Sequence, residues 1–137
     1  MPARKKWSSP RRPTDAELGI LRVLWQRGPS TVREVFEHIP EDRRGGYTTV
    51  LKFLQIMTGK GLVVRDETER AHVYAAAEPA EKTKRAMVAD LIDQLFDGSA
   101  RALVLEAIDA QHVSAGELAE IRKKIKAREE SQRPPKK

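Results

Sequence analysis

Tyr47-Thr48-Thr49-Val50-Leu51-Lys52-Phe53-Leu54-Gln55-Ile56-Met57-Thr58, closed by Gly59-Lys60-Gly61 and followed by Leu62-Val63-Val64-Arg65, is the stretch on which the fold turns. Val50, Phe53, Leu54 and Met57 recur at the spacing of one helix face. At about 100° per residue, Thr48, Lys52 and Gln55 fall on the opposite side, with Thr49, Leu51 and Ile56 on the borders. Gly59 and Gly61 predict the end of the helix. The pattern then changes to Leu62-Val63-Val64-Arg65, a polar tip from Asp66 to Arg70, and Ala71-His72-Val73-Tyr74-Ala75. Two β-rich runs around a short polar link predict a hairpin.

Two helices precede this stretch. Thr14-x-x-Glu17, after Pro13, is a capping box that starts a helix near Asp15, with Leu18, Leu21, Leu24 and Trp25 on its inner face. Gly28-Pro29 ends it, and a second capping box, Thr31-x-x-Glu34, opens a helix carrying Val32, Val35, Phe36 and Ile39 up to Pro40. Glu41-Asp42-Arg43-Arg44-Gly45-Gly46 is expected to be a polar loop. Three helices followed by a hairpin form the winged helix-turn-helix arrangement, assigned to residues 13–77.

After Pro79 the pattern is helical again. Val88, Leu91, Ile92, Leu95 and Phe96 mark a fourth helix broken at Asp97-Gly98-Ser99, and Leu103, Val104, Ala107 and Ile108 a fifth. A third capping box, Ser114-x-x-Glu117, opens a sixth with Leu118, Ile121 and Ile125. Residues 78–128 are therefore read as a helical domain, flanked by a disordered basic arm (1–12) and a disordered tail (129–137). The fold class is mainly α with a small β wing.

Charge and composition narrow the function. The 137 residues carry a formal net charge of +6, and residues 1–75 hold 14 Lys/Arg against 9 Asp/Glu. From Arg43 to Arg65 there are five basic residues and no acidic one, the local pattern of a polyanion reader. On the outward face of the third helix, Thr48 and Thr49 suit phosphates and thymine methyls, Lys52 adds charge, and Gln55 suits an adenine edge. Arg43 and Arg44 lie just before it. Arg65 and Arg70 bracket the wing as candidate backbone contacts, although Asp66, Glu67 and Glu69 at its tip repel phosphate. Candidate DNA-binding residues are thus Thr48, Thr49, Lys52, Gln55, Arg43, Arg44, Arg65 and Arg70.

The absence of cysteine removes disulfides, thiolate catalysis and Cys-based metal sites, and His38, His72 and His112 stand far apart. No metal or cofactor is expected. Neither a nucleophile–base pair nor a Gly-rich phosphate loop is found, so the chain is read as a non-enzyme. With no apolar run of about 18 residues, membrane insertion is not expected and a cytoplasmic location is.

The C-terminal helices predict a homodimer. Each offers only a narrow apolar stripe, and so short a set does not build an adequate core alone. Pairing two copies buries Val88, Leu91, Ile92 and Leu95, then Leu103 and Val104, then Leu118, Ile121 and Ile125. The competing expectation is that these helices pack back on their own winged helix. Two other functions fit the same basic character: a winged helix binding an acidic protein partner, and a sequence-tolerant architectural DNA binder using the arm with Trp7.

Asp15-Ala16-Glu17 through Leu24-Trp25, Tyr47-Thr48-Thr49-Val50, Leu54-Gln55, Lys60-Gly61-Leu62-Val63, Arg70-Ala71-His72-Val73-Tyr74 and Ala102-Leu103-Val104-Leu105 together resemble the penicillinase repressor (BlaI/MecI) family. The resemblance spans roughly residues 13–127. It implies an N-terminal winged helix, a C-terminal dimerisation domain, and repression through palindromic double-stranded operators of resistance genes and regulatory genes. It also implies release through a membrane-embedded zinc metallopeptidase sensor of β-lactams, with the repressor cut between Asn and Phe just after the Leu-Val-Leu stretch. In this chain that bond is Glu106-Ala107. The family's copper-responsive branch carries a C-terminal Cys-x-Cys, which this cysteine-free chain lacks.

Overall fold

The computed structural model describes residues 12–134, apart from the side chains of Arg43 and Arg44. Among them the chain forms α1 (Asp15–Arg27), β1 (Ser30–Thr31), α2 (Val32–His38), α3 (Glu41–Arg44), α4 (Tyr47–Lys60), β2 (Val63–Asp66), β3 (Val73–Ala76), α5 (Ala80–Leu95), α6 (Ala100–Ala110) and α7 (Ala115–Gln132). The mainly helical architecture with a small antiparallel wing is the one the sequence predicts. The arm lies outside the described residues except for Arg12, as do residues 135–137 of the tail.

Each capping box closes as a reciprocal pair. Thr14 N–H donates to Glu17 Oε1 at 3.0 Å while Glu17 N–H donates to Thr14 Oγ1 at 3.2 Å. Thr31 with Glu34 (2.9 and 3.2 Å) and Ser114 with Glu117 (2.8 and 3.1 Å) repeat the motif at α2 and α7. Each cap satisfies amides that a helix start leaves without an intrahelical acceptor, worth about 1 kcal/mol.

The core is assembled from α1, α2, α4 and the sheet. Ile20, Leu21, Val23 and Leu24 of α1 meet Val32, Val35 and Ile39, Val50, Leu54 and Met57 of α4, and Leu62, Val63 and Tyr74 of the wing. Trp25, Phe36, Leu51 and Phe53 pack around it half-buried. Strand order is β1-β3-β2, both pairs antiparallel, with Ser30 opposite Tyr74 and Arg65 also opposite Tyr74. Four details differ from the sequence reading. The two-residue β1 is too short to show periodicity, and α3 replaces part of the expected polar loop with one helical turn. Helix α4 runs through Gly59 and ends at Gly61, whose φ of 82° supports a left-handed cap donating to Met57 and Thr58 carbonyls. Helix α7 continues to Gln132, so the tail expected from residue 129 begins as helix.

The C-terminal helices are built differently. No residue of α6 or α7 is buried. Among the described residues the closely packed element pairs all lie between α1 and β3, and α5–α7 touch one another and the winged helix only sparsely. The junction before α5 is nevertheless anchored, because Trp25 Nε1 donates to the Glu78 carbonyl at 2.9 Å. Thr83 and Asp90 of α5 are buried.

Candidate nucleic-acid interface

Helix α4 is seated by Val50, Leu54 and Met57, all fully buried. The opposite side then points outward by helical geometry alone. Thr48, Thr49, Lys52 and Gln55 are all exposed there, as is Ile56 on the border. The face foreseen from spacing is therefore assembled on one surface.

The start of α4 contrasts with those of α1, α2 and α7. Its N-cap is Gly46, with no side-chain cap, and its first turn contains no acid. Gly45 turns the chain into the helix with φ 64°, a left-handed conformation suited to glycine. An uncapped N-terminus bearing two exposed threonines presents amide donors and the positive end of the helix dipole together. Tyr47 is held at this corner by an edge contact with Phe36 (5.8 Å between centroids) and by the Arg33 guanidinium 5.5 Å from its ring. Sequence reading passed over this cluster, although Arg33 and Phe36 share a face of α2 at i, i+3 spacing.

The basic residues are distributed less freely than their spacing in sequence suggests. Lys60 donates to both oxygens of Glu17, at 2.7 and 3.0 Å, and Glu17 is only 2 % exposed. Arg65 Nε pairs with Glu67 Oε2 at 2.6 Å. Its hydrogen bond with Tyr74, then the pairing with Glu67, pushes the Arg65 pKa upward. The cross-strand register places Arg65 on the same side of the hairpin as buried Tyr74. The acid-free run from Arg43 to Arg65 is thus partly neutralised by Glu17 and Glu67, brought in from outside it.

That leaves Lys52 exposed on α4 and Arg70 exposed on the wing, with no ion pair to either among the described residues. The Arg43 and Arg44 side chains fall outside the described set. At the wing tip, the Thr68 backbone N–H and hydroxyl donate to Asp66 at 2.9 and 2.7 Å, holding its carboxyl below the usual range. The tip stays anionic, so Arg70 and not the tip itself faces a polyanion favourably.

The nine apolar positions expected to mediate dimerisation share one character: none is buried. Val88, Leu91, Leu95, Val104 and Ile125 are exposed, with Leu95 at 67 %, while Ile92, Leu103, Leu118 and Ile121 are half-buried. Helix α5 has two distinct faces. Thr83, Met87 and Asp90 are buried or half-buried on one; Val88, Leu91 and Leu95 stand on the other. Packing back on the winged helix therefore uses one side of α5 and leaves the apolar stripe uncovered. No group of three or more metal-ligating side chains occurs among the described residues, and no helix there is long and apolar enough to cross a membrane.

The family model described as penicillinase repressor matches residues 13–127. Over 92 residues the chain is 34 % identical to the transcriptional regulator BlaI of Mycobacterium tuberculosis, strains CDC 1551 / Oshkosh and ATCC 25618 / H37Rv, covering 66 % of this chain and 67 % of the relative. It is 19 % identical over 109 residues to the methicillin resistance regulatory protein MecI of Mammaliicoccus sciuri, covering 80 % of this chain and 89 % of the relative. The order of elements, the outward face of α4 and these matches agree: the chain belongs to the penicillinase repressor (BlaI/MecI) family of transcriptional regulators.

Proposed function

We propose that this protein is a cytoplasmic, non-enzymatic transcriptional repressor that binds a palindromic double-stranded operator as a homodimer. The observation that carries the proposal is the outward face of α4. Thr48, Thr49, Lys52 and Gln55 are exposed beside an uncapped, acid-free helix start, and the opposite face is anchored in the core. In this reading residues 13–77 read DNA and residues 78–128 join two copies through the apolar stripes of α5–α7. Two copies related by a two-fold axis read two inverted half-sites. The Gln55 side chain supplies base discrimination, and the threonines, Lys52, Arg43, Arg44 and Arg70 engage the backbone.

Release by proteolysis is the second part of the proposal. Glu106 and Ala107 are exposed on α6, a helix with no buried residue, so local unwinding of this segment costs little. Cutting there separates α7 from the rest of the dimerisation unit and removes the gain from linked half-sites. A membrane metallopeptidase sensor is the activating partner the family likeness suggests.

The test is in vitro selection from a random duplex library with the full-length protein, followed by salt titration on the selected duplex. Inverted repeats should emerge. Each phosphate contact should add about −0.9 to the slope of log K against log salt. Gln55→Ala should cost about 1–3 kcal/mol at one base position and leave the others unchanged. Random DNA competing as well as the selected duplex identifies a protein-interaction module or an architectural binder and refutes the proposal.

A further inference from the structure

We infer that Arg12 and Asp90 are positioning residues that set the spacing between the two half-sites. The inference rests on the proposed reading of the chain as a dimer on a two-fold operator. Arg12 Nη1 meets Asp90 Oδ2 across the junction between the winged helix and α5, with Gln94 Oε1 3.1 Å from the same nitrogen. Gln94 Nε2 in turn donates to Asp90 Oδ1 at 3.1 Å. The Asp90 side chain is 2 % exposed, and among the described residues Arg12 is its cationic partner. Stripped of that partner, a buried carboxylate is strongly unfavourable where it lies, and α5 must turn to bring it to water.

Among the described residues the packing between α5 and the winged helix is sparse, and a second polar tie is the Trp25–Glu78 hydrogen bond at the start of the helix. The Arg12 contact lies near the other end of α5, so the two ties together define a direction, which one alone does not. On the same helix, turned to the side, stand Val88, Leu91 and Leu95, the stripe assigned to the second copy. The angle between winged helix and α5 thus fixes the separation and rotation of the two α4 helices. One added base pair rotates the second half-site by about 35°, so a rigid angle admits one spacing and a loose one admits several.

The test is selection from a random duplex library with full-length wild type, Arg12→Ala, Arg12→Lys and Asp90→Asn. Wild type and Arg12→Lys, which keeps the cation, should yield inverted repeats at a single spacing. Arg12→Ala should yield the same half-site sequence at several spacings, its preference for the wild-type spacing falling by roughly tenfold. Asp90→Asn, nearly isosteric, leaves no buried charge but removes the ionic tie to Arg12, so the loosened angle should likewise admit several spacings; it serves where Arg12→Ala fails to fold. A single unchanged spacing in both variants overturns the inference while leaving the dimer reading intact. Lone half-sites from wild type refute the dimer reading itself and the inference with it.

Discussion

Lys60→Met tests how α4 is tied to the core. The substitution keeps the aliphatic stem and removes the ammonium from a carboxylate that is 2 % exposed. Glu17 retains the Thr14 amide at 3.0 Å but loses the contacts at 2.7 and 3.0 Å. Breaking a buried pair from one side costs about 3–5 kcal/mol. The Lys60 side chain is 15 % exposed, so water partly solvates the orphaned carboxylate and the expected loss is about 2–3 kcal/mol. At about 4–8 °C per kcal/mol for a unit of this size, Tm falls by roughly 10–20 °C. Urea and thermal unfolding followed by circular dichroism give the value. Adding Glu17→Gln, which can still close the capping box, should bring the double variant to within about 1 kcal/mol of wild type. It should also bind DNA with the wild-type salt slope, since Lys60 is engaged by Glu17 and not by phosphate. A loss below about 0.5 kcal/mol for Lys60→Met, or no recovery in the double variant, refutes the reasoning.

Three further outcomes are expected. Leu95→Glu should leave Tm of the winged helix unchanged and dissociate the proposed dimer; losing about 2 kcal/mol of burial on each side raises its Kd roughly a thousandfold in analytical ultracentrifugation, and an unchanged Kd removes Leu95 from the proposed interface. Glu67→Ala removes the carboxylate paired with Arg65 at 2.6 Å, leaving Arg65 with its Tyr74 hydrogen bond, and should tighten operator binding and steepen the salt slope by about 0.9; a slope identical to wild type removes Arg65 from the interface. The Thr31 and Ser114 amide N–H groups hold the Glu34 and Glu117 carboxyls below their ordinary value of 4.5. A carboxylate depressed on folding adds stability that is complete above its unfolded pKa and disappears as pH falls through its folded one. The stability difference between wild type and the Glu34→Gln, Glu117→Gln double variant should therefore be largest at neutral pH and shrink as pH falls below 4.5 through the depressed folded values, and a difference that does not shrink in acid contradicts the assignment.

Much of the architecture was legible because its signals are local. A capping box needs two side chains three residues apart, and all three pairs formed as spaced. The inner and outer faces of α4 follow from periodicity in one segment. What escaped sequence reading needed distant partners. Lys60 and Arg65 counted as free cations because Glu17 and the folded-back Glu67 are invisible to a charge count along the Arg43–Arg65 run. The Arg12–Asp90 contact joins positions that no periodicity connects. Strand β1 exists only because β3 is there to pair with it. Of the two glycines read as ending α4, the helix passes Gly59 and caps at Gly61, because a glycine costs only about 1 kcal/mol inside a helix, less than the packing of Met57 repays.

The placing of β3 between β1 and β2 bears on the order in which the molecule assembles. The β2–β3 hairpin closes over a handful of residues, and α1, α2 and α4 form from neighbouring segments, all inexpensive in chain entropy. Pairing Ser30 with Tyr74 is the opposite case, since it waits until three helices and the hairpin have taken their places. Sequence separation therefore predicts that the sheet is completed on the native side of the folding barrier. Weakening Ser30, whose hydroxyl is buried and donates to the Gly28 carbonyl, acts on the lifetime of the folded state far more than on the speed of reaching it.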